Sequence, residues 1–224
     1  MFKAYIFDLD GTLINSIAQI STCFNNEIKK CGFKCIEEKH FNYFVGDGPK
    51  ILVDRAFEYI INRDSLNYSA EELDNIKRTV LENYLNSYIN APSVEAKLYP
   101  GIKEALKYLK ENNKKIAVCT NKPLLAAKNI LENIFGKNYF DCIVGLENEA
   151  HKKPNPYMIN IIIEKLNLKN KDIVYFGDTS TDMITAKNVN VYAVGVLWGF
   201  REKEELLRFG ADKIIENPLD IKRI

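Results

Sequence analysis

The gap between the first two strand-like runs is the strongest constraint on this fold. Phe2 to Phe7 is a short apolar and aromatic run of the kind that favours a buried strand. The next comparable run, Lys115 to Cys119, comes roughly a hundred residues later, where a strand–helix–strand crossover needs only about thirty. The intervening chain reads as helices: about Asn15 to Lys30, Pro49 to Asn62, and Ser69 to Tyr88. Ser69-Ala70-Glu71-Glu72 has the acceptor-then-acid pattern of a capping box. Three helices have enough apolar surface for a small core of their own. The reading is therefore a helical domain, residues 16–88, inserted after the first strand, with its return at about Asn90 to Tyr99.

Beyond the insertion, strand and helix alternate. Further β-rich runs are Cys142 to Val144, Ile173 to Phe176, Val191 to Val196 and, more weakly, Lys213 to Ile215. Between them, Ile102, Ala105, Leu106 and Leu109 form one apolar helical stripe. Leu124, Leu125, Ile130, Leu131 and Ile134 form a second, entered through Pro123, a favourable first-turn residue. Met158, Ile161, Ile162 and Leu166 form a third, entered through Pro156. Alternation of this kind predicts an α/β fold: a doubly wound parallel sheet of the Rossmann-like type, built from residues 1–15 and 89–224.

Composition removes several classes of function. A net charge of +1 gives no general attraction to nucleic acid or to an anionic membrane, so any anion selectivity must be local. The longest strongly apolar run, Met158 to Ile163, is far too short to span a bilayer, and the N-terminus lacks the pattern of a secretory signal. A cytoplasmic location is expected. The five cysteines contain no C-x-x-C pair. Cys31, Cys35 and His40 have no matching second ligand pair, so zinc is not expected; reduced, mostly buried thiols are.

Chemistry-bearing residues gather at the ends of the strand-like runs. Asp8 and Asp10 close the first, with Gly11 after them. Residues two apart on a strand share a face, and two carboxylates so placed need a compensating charge, most simply a divalent cation. A strand-ending turn explains the tetrapeptide equally well by itself. Thr120-Asn121-Lys122 follows the second run and offers a hydroxyl, an amide and backbone N–H groups before a helix, a setting that suits an anion or a plain helix cap. Lys153 stands ahead of Pro154 and Pro156, either aimed at a phosphate or in a solvated basic loop. Gly177-Asp178-Thr179-Ser180-Thr181-Asp182 sets two further acids where another strand stops and a helix begins. Asp182 also suits the helix dipole as a first-turn acid. Together these are four carboxylates, a hydroxyl–amide pair and a lysine at successive strand ends, an inventory suited to Mg²⁺ and a substrate phosphate.

In this order, Asp8-x-Asp10-Gly11-Thr12, Thr120, Lys153 and Gly177-Asp178-x-x-x-Asp182 resemble the four motifs of the haloacid dehalogenase superfamily. The insertion resembles that superfamily's helical cap. Val45-Gly46-Asp47-Gly48, Tyr99-Pro100-Gly101-Ile102, Gly195 to Phe200, Gly210-Ala211-Asp212 and Pro218-Leu219 are similar to its phosphoglycolate phosphatase-like branch. Asn15-Ser16 departs from the usual Asp-Ser, with an equally good cap.

The resemblance implies a Mg²⁺-dependent phosphatase acting on a small phosphorylated metabolite, 2-phosphoglycolate or a similar monoester. Asp8 is then the nucleophile, and Asp10 the acid and base. Asp8, Asp178 and the Asp10 carbonyl hold the metal. Thr120, Asn121 and Lys153 stabilise the transferring phosphoryl group, while Asp182 orients water or Lys153 from behind. Gly46, Asp47, Gly48 and Arg55 are the candidate substrate-binding residues of the cap, although the two glycines equally suit a turn before a helix and Arg55 a solvated helix position. Phe41, Tyr43 and Phe44 are expected in the cap core. The same scaffold accommodates a phosphomutase or a pyrophosphatase, and a monomer or a homodimer. An aspartate-phosphorylated receiver-like signalling module is disfavoured by the insertion and by Asp8-x-Asp10 on the first strand.

Overall fold

The computed structural model describes residues 2–90 and 96–224. Its strands are β1 (Ala4–Phe7), β2 (Ile14–Asn15), β3 (Lys97–Leu98), β4 (Lys115–Pro123), β5 (Cys142–Leu146), β6 (Ile173–Gly177), β7 (Tyr192–Val196) and β8 (Lys213–Ile215). Six of them form one parallel sheet in the order β5-β4-β1-β6-β7-β8. β1 lies at its centre, with Phe7 paired to Val118 on one side and Phe176 on the other. After β1 the chain builds outward through β4 and β5, then returns to β1's other side at β6. That reversal puts the topological switch point beside the C-terminal end of β1, where α/β sheets bind ligands.

The helices are α1 (Ile17–Lys30), α2 (Glu38–Phe44), α3 (Gly48–Asp64), α4 (Ala70–Asn90), α5 (Ile102–Glu111), α6 (Leu124–Phe135), α7 (Tyr157–Lys165), α8 (Ser180–Asn188) and α9 (Lys203–Arg208). One sheet face turns Ala4, Ile6, Ala117, Cys119 and Tyr175 onto Met158, Ile159 and Ile162 of α7, Met183 and Ala186 of α8 and Leu206 of α9. Alternation sends Tyr5, Phe7 and Phe176 to the other face, where Phe176 stacks on both Tyr5 and Phe7. These residues are buried on both faces, which is why the strands read as continuous apolar runs. The expected α/β class holds.

The chain divides into two units. One comprises the N-terminal residues through Asn15 together with Lys97–Ile224; the other is Ser16–Ala96. The first unit opens and closes around the insertion through a ribbon that sequence patterning did not reveal. β2 and β3 pair antiparallel, Ile14 with Leu98 and Asn15 with Lys97. Within the helical unit, Phe24 packs edge-on against both Phe41 and Tyr84. The capping box at Ser69 forms, with Glu72 N–H donating to Ser69 Oγ and Ser69 N–H to Glu72 Oε2. α4 runs on to Asn90, past the expected boundary at 88/89, and residues 91–95 of the expected return lie outside the described residues.

Two expectations about burial are corrected. Tyr43 is 69% exposed while Phe41 and Phe44 are buried, because α2 has a single inward face and position 43 lies off it. Only Cys119 and Cys142 are buried; Cys31 and Cys35 are exposed and Cys23 is half-buried. Among the described residues no helix is long and apolar enough to cross a membrane.

Candidate active site

β1 ends at Phe7, and the Asp8 N–H still donates to Phe176 O at 2.9 Å, so the first carboxylate is carried by the last ladder bond of the sheet. The chain then folds back at once. Leu13 N–H and Ile14 N–H both donate to Leu9 O, and Gly11 takes a φ of +87°, open to glycine at little cost. A Cβ at Gly11 would also lie 2.1 Å from Asp178 Oδ2, so that carboxylate occupies the space a side chain would need. Gly199 approaches the same residue from another side, its notional Cβ 2.3 Å from Asp178 Cβ, and Gly177 approaches Asp182 in the same way. Three glycines thus form a cradle around two buried acids.

Asp8, Asp178 and Asp182 are all buried, with one carboxylate oxygen from each within 4.8 Å of the others. Lys153 enters this acidic group with its side chain 1% exposed. Its Nζ lies 2.8 Å from Asp8 Oδ1 and 2.7 Å from Asp182 Oδ1. The reading of Lys153 as part of a solvated loop is thereby overturned. Asn121 sets this lysine's backbone. Its Nδ2 donates to Lys153 O at 3.2 Å, and its Oδ1 accepts from Lys153 N–H at 2.8 Å. The amide expected against a phosphate is therefore engaged as a clamp between β4 and the Lys153 turn.

Asp182 ties Lys153 to the start of α8. Its Oδ2 accepts from the Thr179 N–H and hydroxyl, completing the capping box that starts α8, while Oδ1 accepts from Lys153 and lies 3.1 Å from the Tyr175 hydroxyl. Asp178 also has both oxygens engaged. One oxygen accepts from the Thr12 hydroxyl and the other from Phe200 N–H. Asp8 Oδ1 is held by the Lys153 ammonium, an ion pair at 2.8 Å, rather than by a hydrogen bond from a neutral group. Burial is the largest influence on these acids. It pushes Asp8 up to about 7 against the pull of Lys153, with Asp182 adding repulsion. It also raises Asp178 well above the ordinary carboxylate range, reinforced by Asp182 and Asp8. Burial works against the Lys153 ammonium too, but Asp182 and Asp8 outweigh it and raise its pKa.

The set fits a hard divalent cation. It offers carboxylate oxygens from three buried acids in a dense negative cluster that, among the described residues, the Lys153 ammonium offsets. Asp182, like Asp178, has both oxygens engaged. The Asp10 carboxylate stands elsewhere, with both oxygens on Lys122 Nζ at 2.7 and 3.0 Å. Thr120 is buried at the foot of this arrangement, its Oγ1 accepting the Lys122 N–H.

A stretch from Tyr5 to Val196 matches the family model described as haloacid dehalogenase-like hydrolase. The chain belongs to the haloacid dehalogenase-like hydrolases. It is 29% identical to a phosphoglycolate phosphatase of Colwellia psychrerythraea, over 93% of this chain and 90% of that protein. A phosphoglycolate phosphatase of Rhodospirillum rubrum is also 29% identical, with 97% and 88% covered. Among solved structures, one described as a "predicted phosphoglycolate phosphatase" from Haemophilus somnus superposes with a TM-score of 0.83 at 27% identity, covering 99% of this chain and 97% of that one. The chain is thus a hydrolase whose sequence is phosphoglycolate phosphatase-like.

Two residues beside the acids escaped sequence reading. Tyr175 lay hidden inside an apolar run, yet its hydroxyl lies 3.1 Å from Lys153 Nζ, Asp182 Oδ1 and Cys119 O. The available signal was the hydroxyl itself, since a tyrosine in a strand buried on both faces must find a polar partner. Lys122 was visible as part of a motif, but not as the partner of Asp10. The remaining candidates lie in the helical unit. Gly46 and Gly48 both have positive φ, +118° and +84°. Arg55 holds the adjoining segment, pairing with Asp47 Oδ2 at 2.6 Å and donating to Tyr43 O and Phe44 O at 3.3 Å.

Proposed function

We propose that this chain is a Mg²⁺-dependent phosphatase that hydrolyses small phosphate monoesters through an aspartyl-phosphate on Asp8, with 2-phosphoglycolate or a similarly small metabolite as substrate. The observation that carries the reading is the contrast among the buried acids. Asp178 and Asp182 have both oxygens engaged by hydrogen bonds, whereas Asp8 Oδ1 faces the buried Lys153 ammonium as an ion pair at 2.8 Å.

Asp8, Asp178 and the Asp10 carbonyl would hold a divalent cation, which would neutralise charge on the nucleophile and the phosphate. An oxygen of Asp8 attacks phosphorus as the bond to the leaving oxygen breaks, and Asp10 gives that oxygen its proton. Water then attacks the same phosphorus while Asp10 takes back a proton, and the Asp8–phosphorus bond breaks to return the carboxylate. Lys153 neutralises charge on the transferring group, with the Thr120 hydroxyl as a further donor. Asn121 contributes through its hold on the Lys153 backbone. The choice of leaving group is assigned to the helical unit, at Gly46, Asp47, Gly48 and Arg55, with Arg55 shaping the segment through Asp47.

The test is a screen of phosphorylated metabolites with purified protein and Mg²⁺. Expected is phosphate release from 2-phosphoglycolate or a comparably small monoester, with no bisphosphate activator present and with loss of turnover in Asp8→Asn. Failure to release phosphate from any alkyl monoester would overturn the reading. Turnover that depends on a bisphosphate activator would assign a mutase instead.

A further inference from the structure

Two lysines divide three aspartates between them at the end of the sheet. Lys153 takes Asp8 and the supporting Asp182; Lys122 takes Asp10. The second pair is unusual for its burial. The Lys122 side chain is 2% exposed and that of Asp10 12%. Withdrawing an ammonium from water is costly, and the cost is recovered only with good geometry. Here the geometry is two-pronged, with one Nζ on both carboxylate oxygens.

Two features of β4 deliver Lys122 to that point. Ladder register with β5 shifts between Cys119 and Pro123, so the strand carries Thr120, Asn121 and Lys122 through an irregular stretch at its end. Within it the Lys122 N–H donates to Thr120 Oγ1 at 3.2 Å, which ties the lysine's backbone to the buried threonine. The lysine is anchored at its base, while Asp10 sits in the tight turn after β1 that Leu9 O closes.

We propose that Lys122 is a positioning residue for proton transfer. The ionised Asp10 is gripped at both oxygens; when one oxygen carries the proton, the other still accepts from Lys122, so the carboxyl group keeps one orientation toward the leaving oxygen and later the attacking water. The inference rests on the acid–base role given to Asp10 above. No atom of Lys122 enters the covalent steps. The leaving oxygen receives its proton from Asp10, and Asp10 recovers one from water as the aspartyl-phosphate is hydrolysed.

An orientation role predicts a dependence on the leaving group that general loosening of the fold does not. An alkoxide needs its proton as it departs, whereas p-nitrophenolate leaves unaided. The experiment measures first-turnover release of glycolate from 2-phosphoglycolate and of p-nitrophenol from p-nitrophenyl phosphate, for the wild type, Asp10→Asn, Lys122→Met and Lys122→Arg. General acid catalysis contributes about a hundredfold or more. Lys122→Met should therefore slow the alkyl substrate by at least about tenfold and the aryl substrate by less than about threefold, with KM little changed. Lys122→Arg should recover part of the alkyl rate, because a guanidinium also grips a carboxylate at two points.

Equal slowing of both substrates by Lys122→Met, or slowing of neither, would overturn the inference. So would a rise in KM with kcat unchanged, which would mark Lys122 as a substrate-binding cation. Asp10→Asn separates the two levels. If it shows the alkyl–aryl split and Lys122→Met does not, the Lys122 inference alone fails; if it shows no split, the acid–base role of Asp10 fails and the inference falls with it.

Discussion

Asp8→Asn should abolish turnover and also make the metal-free protein more resistant to rising pH. The Asp8 carboxyl is pushed up to about 7 from an ordinary 3.8, chiefly by burial. A folded value above the unfolded one means that the folded state holds the proton more tightly. The associated stability is fully present below about pH 4, declines as pH rises, and is gone beyond about 7. At about 1.4 kcal/mol per unit, ionised Asp8 costs the fold at most about 4 kcal/mol by pH 8, of which about 3 kcal/mol accrues between pH 5 and pH 8. Asparagine has the same shape and no charge to bury. The Lys153 ion pair forms only with the ionised carboxylate, and its pull is already contained in the value of about 7, so it needs no separate allowance. The assay is thermal unfolding with chelator present, followed by circular dichroism across that pH range. For a protein of this size 1 kcal/mol moves Tm by about 2–4 °C, so the advantage of Asp8→Asn over the wild type should grow by about 6–12 °C from pH 5 to pH 8. Added Mg²⁺ should shrink the gap at pH 8, because a cation favours the ionised wild-type carboxylate and gains little from the amide. Parallel stability curves for the two proteins in chelator would refute the claim that burial holds Asp8 in a costly state.

Gly199→Ala should lower Mg²⁺ affinity by about tenfold or more, read by calorimetric titration, because the new methyl group meets Asp178 at its Cβ, where rotating the carboxylate gives no relief. Unchanged affinity would show that Asp178 is not held in place by this cradle. Tyr175→Phe should destabilise the fold by about 1–3 kcal/mol in denaturant titrations, since its hydroxyl has three buried polar neighbours. An unaltered midpoint would mean that those groups satisfy one another without it.

Much of the site was legible because its chemistry is local. Asp8 and Asp10 announce themselves at the end of an apolar run, as does Asp178, and parallel strands buried on both faces are plain in any pattern of short β-rich segments. Ser69 and Glu72 also declared their helix start correctly, since a capping box is complete within four residues. Features that depend on pairing across the chain did not show. β2 and β3 are two residues long each and carry no periodicity, so only their mutual ladder defines them. The exposure of Tyr43 follows from which way the short α2 turns, and two helical turns carry too few apolar positions to decide it.

The sequence alone determined which chemical groups stand at which strand ends, and so the class of reaction. Carboxylates, lysines and glycines at those positions have few other uses together. Only the tertiary structure decided how they divide the work. Asp10 and Lys122 are 112 residues apart, and Tyr175 and Cys119 are 56. Asn121 meets Lys153 across 32 residues, on different sides of β5 and its flanking turns. Whether an amide contacts phosphate or clamps a backbone, and which lysine serves which aspartate, is set by sheet order and register. Those are properties of the whole folded sheet, since parallel strands gain their neighbours only after long crossovers have closed.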